Sequence, residues 1–259
     1  CQSTAHDVVL LDWNMPVMSG MEFLQQLSSV KTANRPKVIF CTPENGLGQT
    51  QWPLAISGLG KILSYLFHPL FIPTYFFLYL MQFYSFEFAG ITDWQLKLRL
   101  FGVFWMTAFF PAFAVFLLWR LKFSSGIFLR TQKERIVPYI ITMFFYWWMH
   151  YLSRHFPDKP AVLKFFYTGI FICSVAGLLA NNSYKISMHA MGAGGFAAAI
   201  ILTSFHYQHT DGISISIAVL LAGLICTARL VLKEHSLKEV YTGLVAGVIC
   251  QLLSYYFVM

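Results

Sequence analysis

Long apolar segments separated by short polar loops occupy most of the chain after its first 61 residues. They lie near 62–82, 99–121, 136–154, 162–180, 189–206, 213–230 and 240–258. A helix of about 20 apolar residues crosses the hydrocarbon of a bilayer, and lipid does not tolerate unpaired backbone groups, so each segment is predicted to be a membrane-spanning helix. The pattern therefore predicts an all-α polytopic membrane protein with about six to seven transmembrane helices.

Residues 1–46 have a different pattern, with short runs in place of long apolar segments. Val8–Leu11 and Lys37–Cys41 have the aliphatic and β-branched composition of short strands, and Met21–Leu27 between them has helical apolar spacing. This order predicts a short α/β fragment. The chain is thus predicted to have three parts, the α/β fragment at 1–46, a junction at 47–61 and a transmembrane helical region at 62–259.

The composition is that of an integral membrane protein, because 57% of the residues are hydrophobic, 18% are aromatic and only 11% are charged. The net charge of +7 is spread over loops, which favours phosphate groups and anionic lipid as partners and excludes a nucleic-acid-binding module. The five cysteines have no paired spacing, so neither a disulfide framework nor a zinc site is predicted. We expect no metal and no cofactor, and His206, His209 and Asp211, whose spacing suggests a metal, are predicted to form a solvated loop.

The polar segment Ala228–Val240 gathers candidate chemical groups between two apolar segments. Arg229 lies six residues before His235, and Glu239 follows that histidine by four residues. If a helix begins near His235, the imidazole and the carboxylate share one face, where the carboxylate holds the ring in one tautomer and stabilises its charged form. The planar guanidinium of Arg229 suits phosphate oxygens.

Two further polar segments carry cations and a second histidine. Lys185, Ser187 and His189 lie at the start of the fifth apolar segment, and Arg130–Pro138 follows the second and runs into the start of the third. Together with Ala228–Val240, these residues follow the second, fourth and sixth predicted spans, so all of them are expected on one face of the membrane. Two histidines, an acid and several cations favour phosphoryl transfer without a metal.

The spacing around His235 resembles the third motif of the type 2 phosphatidic acid phosphatase superfamily, a family of membrane phosphatases. That motif is Ser-Arg, five residues, His, three residues, Asp, and the chain keeps this spacing through Glu239, with Ala for Ser and Glu for Asp. The family's Pro-Ser-Gly-His motif appears as Ile186–His189, which keeps the serine and the histidine. Its first motif, a lysine followed at a distance by Arg-Pro, is matched least well, by Arg130–Pro138. The resemblance covers roughly residues 60–259.

The resemblance implies a mechanism in which His235 attacks phosphorus to give a phosphohistidine, while Glu239 orients its ring. His189 would protonate the leaving alcohol and then activate water. The groups expected to bind the phosphate oxygens are Arg229, Lys185, Ser187, Arg135, Arg130 and Lys133. Lys185 matches no motif of the family, so its role is inferred from its position. An alternative for Arg130, Lys133 and Arg135 is a positive cluster that sets the topology.

The front fragment resembles the middle of a response-regulator receiver domain, through the run D-W-N-M-P-V-M-S-G-M-E-F-L that begins at Asp12. That resemblance implies Asp12 as phosphoacceptor and Thr42 as switch hydroxyl. A complete receiver also needs an earlier acidic pair and a later lysine, and half of a parallel sheet has open edges. We therefore expect a truncated, non-functional fragment that joins the membrane region near Glu44–Pro53. Because the chain begins at Cys1, we also expect its natural amino terminus further upstream.

The sequence therefore favours an enzyme, a membrane phosphatase that hydrolyses a lipid phosphate or lipid diphosphate of the phosphatidic acid or polyprenyl diphosphate type. Its expected partners are membrane lipid and the lipid phosphate substrate, and its expected location is a bacterial inner membrane. Two alternatives stay open. One is a catalytically silent protein that binds phosphorylated lipid, and the other is a signalling protein in which the receiver fragment controls the membrane region.

Overall fold

The computed structural model describes residues 8–11, 37–40, 54–123, 131–156, 160–209 and 211–259. The chain divides into two compact units, Cys1–Trp52 and Pro53–Met259. In the first unit, strands β1 (Val8–Leu11) and β2 (Lys37–Phe40) pair in parallel, with Val8 opposite Lys37. Four predictions concern residues outside the described part of the chain: the helix Met21–Leu27, the junction Glu44–Pro53, the phosphoacceptor Asp12 and the switch hydroxyl of Thr42.

The second unit is built from α-helices. In its described part these are α1 (Leu54–Leu66), α2 (Ile72–Phe83), α3 (Asp93–Phe104), α4 (Phe110–Arg120), α5 (Gln132–Arg154), α6 (Ala161–Ser183), α7 (Met188–His206), α8 (Gly212–Val231) and α9 (Leu237–Val258). Short 3-10 helices at Pro69–Phe71 and Ser85–Phe88 and a π-helical segment at Trp105–Phe109 lie between successive helices. Because α1 begins at Leu54, the helical region starts earlier than the predicted boundary at residue 62.

The described residues contain six helical segments that are long and apolar enough to span a membrane. They are Ile56–Phe83, Asp93–Arg120, Ala161–Ser183, Met188–His206, Gly212–Val231 and Leu237–Val258. Each overlaps a span predicted from the sequence, and together they are compatible with an integral membrane protein. The remaining predicted span, 136–154, lies in α5, which is long but less apolar because its first turn carries Lys133, Glu134 and Arg135 and its last turn carries Arg154.

Polar side chains explain where two of the helices begin. The hydroxyl of Ser187 accepts the backbone N–H of Ala190 at 3.4 Å and so caps α7. Ser236 and Glu239 form a capping box at the start of α9, in which each side chain accepts the other residue's backbone N–H. Such caps satisfy N–H groups that have no partner within the helix. Both helices therefore begin at the polar segments that carry the candidate histidines.

Helix α7 is the most enclosed of the six candidate spans, since 67% of its apolar stretch is buried. It contacts α2, α6, α8 and α9. Its backbone lies close to that of α9, because a Cβ on Gly243 would be 2.7 Å from the Ser187 carbonyl oxygen, and Gly247 faces the carbonyl of Met191. The close approach agrees with the high Gly and Ala content of α7 and fixes the start of this helix beside the start of α9.

Candidate active site

The polar segments that the sequence singles out meet at one end of the helical unit. The backbone N–H of Ser187, just before α7, donates to the carbonyl oxygen of Glu239, in the first turn of α9, at 3.2 Å. Arg229 lies in the last turn of α8, and the loop after it carries Glu234 and His235. The segments that resemble the second and third family motifs are therefore neighbours in space.

His235 is buried, with 9% of its surface exposed, and the carboxylate of Glu239 holds its ring. Nδ1 of His235 lies 2.9 Å from Oε2 of Glu239, which is the contact that the four-residue spacing predicts. The same oxygen accepts the backbone N–H of Ser236 at 3.1 Å, so the helix start fixes the carboxylate. Because a carboxylate accepts hydrogen bonds, the proton of the neutral ring is on Nδ1 and the lone pair is on Nε2.

The surroundings of His235 favour its neutral form. Burial lowers the pKa of this imidazole, and the hydrogen bond with Glu239 opposes the shift. The cations Arg229, Lys185 and Arg135 lower the pKa of His235 further, since a positive charge disfavours a second one nearby. A neutral ring with its lone pair on Nε2 is the form that can act as a nucleophile.

Arg229 is buried, and its guanidinium is held from two sides. Nη1 donates to the hydroxyl oxygen of Ser64 on α1 at 3.2 Å, and Nη2 lies 3.5 Å from Oε2 of Glu234. Its Nε is buried without a hydrogen-bond partner among the described residues. A buried donor without a partner costs free energy, so this nitrogen favours an acceptor such as a phosphate oxygen at the site.

His189 lies in the first turn of α7 and contacts the end of α1. Its Nε2 is 3.1 Å from the carbonyl oxygen of Ser64, and a carbonyl can only accept, so Nε2 carries the proton in this contact. The ring packs edge-on against His68, with 5.0 Å between the ring centroids and 86° between the ring planes. Ser64 therefore contacts both Arg229 and His189.

The sequence predicts no site role for Ser64, and at His68-Pro69, within the first apolar segment, it favours a kink with a locally bonded imidazole over a substrate-access groove. The signal that could have found them is the pair His68-Pro69, which places a titratable side chain and a helix breaker inside a predicted span.

Two further cations lie close to this group. Lys185 donates from Nζ to the backbone carbonyl of Glu234 at 3.3 Å. Burial lowers the pKa of Lys185, and the neighbouring Arg135 lowers it further. Burial also lowers the pKa of Arg135, and the charges of Glu234 and Glu239 oppose that shift. Arg135, at the start of α5, therefore belongs to the same group of interacting charges as Lys185, Glu234 and Glu239.

The other predicted phosphate ligands are placed differently. Lys133 is exposed at the start of α5. Ser187 is buried, and its hydroxyl accepts a helix N–H. Arg130 lies outside the described residues. The contacts therefore join Arg229 and Lys185 to the loop that carries His235, and they give Ser187 a helix-capping role.

Asp211 is not the solvated residue that the sequence predicts. It is buried, accepts the hydroxyl of Tyr79 at 3.1 Å and accepts the backbone N–H of Ser214 at 3.2 Å. These contacts make it the cap of α8, at the end opposite Arg229. A short polar loop between two spans predicts exposed side chains, but here the carboxylate caps a buried helix start.

Comparison of the chain with protein-family models, with curated proteins and with solved structures gives no match. The chemistry of the site is therefore inferred from the described contacts and the sequence motifs.

Proposed function

We propose that this protein is a membrane phosphatase that hydrolyses a lipid phosphate or lipid diphosphate through a phosphohistidine intermediate. The observation that carries the proposal is the 2.9 Å contact between His235 and Glu239. His235 lies in the loop that follows the helix carrying the buried Arg229. The contact leaves Nε2 as the nucleophilic nitrogen. The surrounding cations supply positive charge for the phosphate oxygens.

In the first step, Nε2 of His235 forms a bond with phosphorus as the bond from phosphorus to the lipid oxygen breaks. His189 gives a proton to that leaving oxygen. In the second step, water attacks phosphorus, His189 takes the proton of the water, and the bond between phosphorus and Nε2 breaks. Arg229 and Lys185 stabilise the charge on the phosphate oxygens, and Glu239 stabilises the positive charge on the ring of His235.

The position of the site at the ends of candidate spans supports a lipid substrate. Arg229 ends one span, and His189 and Glu239 begin two others. A phosphate at the membrane surface reaches these residues while its apolar tail stays in the bilayer. We propose membrane lipid as the surroundings and the lipid phosphate as the substrate, in a bacterial inner membrane.

A silent lipid-phosphate-binding protein is the second candidate, and the burial of Ser187 favours it. Its hydroxyl caps α7, so the second motif offers one ligand fewer for a transition state. The cations that bind phosphate are the same in both candidates, and only turnover separates them.

The experiment is a measurement of inorganic phosphate released from phosphatidic acid and from a polyprenyl diphosphate by the detergent-purified protein, without added metal. The parent is compared with His235→Ala and with His155→Ala as a matched control. His155 is exposed at the end of α5, where its ring contacts the Tyr151 carbonyl. Release by the parent and by His155→Ala, but not by His235→Ala, supports the phosphatase. Equal release by all three removes His235 from the mechanism, and no release by a folded parent that binds phosphate favours the silent protein.

A further inference from the structure

The end of helix α1 leaves one main-chain carbonyl without its usual partner. Within a helix, the Ser64 carbonyl would accept the N–H of His68, four residues later. Here the His68 N–H turns towards the Tyr65 carbonyl at 3.4 Å, and Pro69 has no N–H with which to continue the helix. The Ser64 oxygen is therefore one of the carbonyls that a helix leaves open at its end.

His189, the proposed proton-transfer residue, donates a hydrogen bond to that carbonyl. Nε2 of His189 lies 3.1 Å from the Ser64 oxygen, although the two residues are 125 positions apart in the chain. Because the carbonyl can only accept, the contact places a proton on Nε2 and leaves Nδ1 as the nitrogen that gains or loses a proton. The His68 ring packs edge-on against the same imidazole and limits its rotation.

The side chain of Ser64 has a separate contact. Its hydroxyl donates to the Gly60 carbonyl at 2.8 Å, so its oxygen is oriented to accept. It accepts from Nη1 of Arg229 at 3.2 Å, across 165 positions of sequence. Ser64 has only 8% of its surface exposed, so water does not readily replace this acceptor.

We infer that Ser64 is a positioning residue of the phosphate site, with its carbonyl fixing the tautomer of His189 and its hydroxyl fixing the guanidinium of Arg229. This inference rests on the proposed function and adds α1 to the elements that build the site. Ser64 itself does not touch the phosphate. It holds the proton-transfer group and one anion-binding group in the orientations that the two reaction steps need.

The hydroxyl contact and the carbonyl contact of Ser64 are expected to affect different kinetic constants. Ser64→Ala removes the hydroxyl and keeps the carbonyl, so phosphate affinity falls about tenfold and KM rises while kcat changes little. Ser64→Thr keeps a hydroxyl that can bond the fourth preceding carbonyl, as buried Thr203 does in α7, so it stays close to the parent. Pro69→Ala restores an N–H and lets α1 continue, so His68 competes for the Ser64 carbonyl. That variant lowers kcat about tenfold with little change in phosphate affinity.

The test measures the dissociation constant for inorganic phosphate, the KM and kcat of phosphate release, and thermal unfolding, for the full chain in detergent. Ser216→Ala is the matched control, because Ser216 also bonds its fourth preceding carbonyl, at 2.7 Å, but is exposed and lies near the opposite end of α8. The expected result is weaker phosphate binding in Ser64→Ala alone, with rescue by Ser64→Thr.

Three other results would overturn the positioning role of Ser64, the phosphatase, or both. If the parent turns over lipid phosphate and Ser64→Ala matches Ser216→Ala in affinity, KM and kcat, the positioning role is overturned and the phosphatase stands. If the parent binds phosphate without turnover and Ser64→Ala binds it about tenfold more weakly, the hydroxyl contact is supported and the hydrolase falls. A folded parent that neither binds phosphate nor releases it overturns both proposals.

Discussion

The backbone N–H of Ser187 donates to the carbonyl oxygen of Glu239 at 3.2 Å, and this bond joins the start of α7 to the first turn of α9. His189 follows two residues after the donor, and His235 lies four residues before the acceptor. The bond thus fixes the spacing of the two histidines through main-chain atoms, which move less than side chains. Substitutions at the site can therefore change the chemistry of single groups while the helix starts stay in place.

The charge of Glu239 can be separated from its helix-capping role. Glu239→Gln keeps an oxygen that can accept from His235 and from the Ser236 N–H, but it removes the charge that stabilises a positive imidazole. We expect kcat to fall by about two orders of magnitude, within the range of acid–base contributions. The melting temperature should stay close to that of the parent, because Gln also serves in a capping box.

Glu239→Ala is the control for that result, because it removes the cap as well. Its unfolding free energy should be lower by about 1 kcal/mol, measured as a shift in thermal unfolding. Equal stability losses in the Gln and Ala variants would contradict the separation of the two roles.

The pH dependence of kcat/KM should report the neutral state of His235. Burial and the nearby cations lower its pKa below the ordinary value of 6.5, so the nucleophilic form is present at neutral pH and is lost as the pH falls through that lowered pKa. The acid limb of the profile should therefore have its midpoint below 6.5.

Lys185→Gln tests the direction in which this charge shifts the pKa of His235, because removing a nearby positive charge makes protonation of His235 easier. The acid limb should move to higher pH in this variant, and Lys97→Gln, in the distant helix α3, should leave it unchanged. A limb that moves to lower pH in Lys185→Gln would show that another group controls it.

The carboxylate of Glu234 pairs with the guanidinium of Arg229, and a bound phosphate would compete with it for that guanidinium. The distance is 3.5 Å, and the carboxylate side chain is 53% exposed, so the pair is weak and accessible to solvent. Glu234→Gln should lower KM by about two- to fivefold, because it frees the guanidinium while keeping the backbone carbonyl that accepts Lys185. The difference from the parent should shrink at high salt, which screens exposed charges. A higher KM in the variant would mean that Glu234 helps to build the site.

Short-range patterns in the sequence predicted much of this structure, and long-range contacts could not be predicted in the same way. The apolar segments located the six candidate spans, and the four-residue spacing from His235 to Glu239 predicted their contact, since the loop residue His235 lies just before the cap of α9 and Glu239 lies in its first turn. Ser64 is different, since its partners lie 125 and 165 residues away and its neighbours in sequence are those of a lipid-facing helix. The packing of α1 against α8, together with the contact from His189, brings it to the site.

The approach of α7 and α9 depends on Gly247, which gives a last test of the arrangement. A Cβ at this position would meet the carbonyl of Met191 and would lie 2.8 Å from the backbone nitrogen of Gly195, so both contacts are with main chain that cannot rotate away. Gly247→Ala should lower the unfolding free energy by about 1 to 3 kcal/mol and reduce phosphate release, because the helix starts must separate. Gly223→Ala is the matched control, since a Cβ there meets nothing within 4 Å and alanine favours a helix. Thermal unfolding in detergent compares the two, and a Gly247→Ala variant as stable as Gly223→Ala would show that α7 and α9 do not pack this closely.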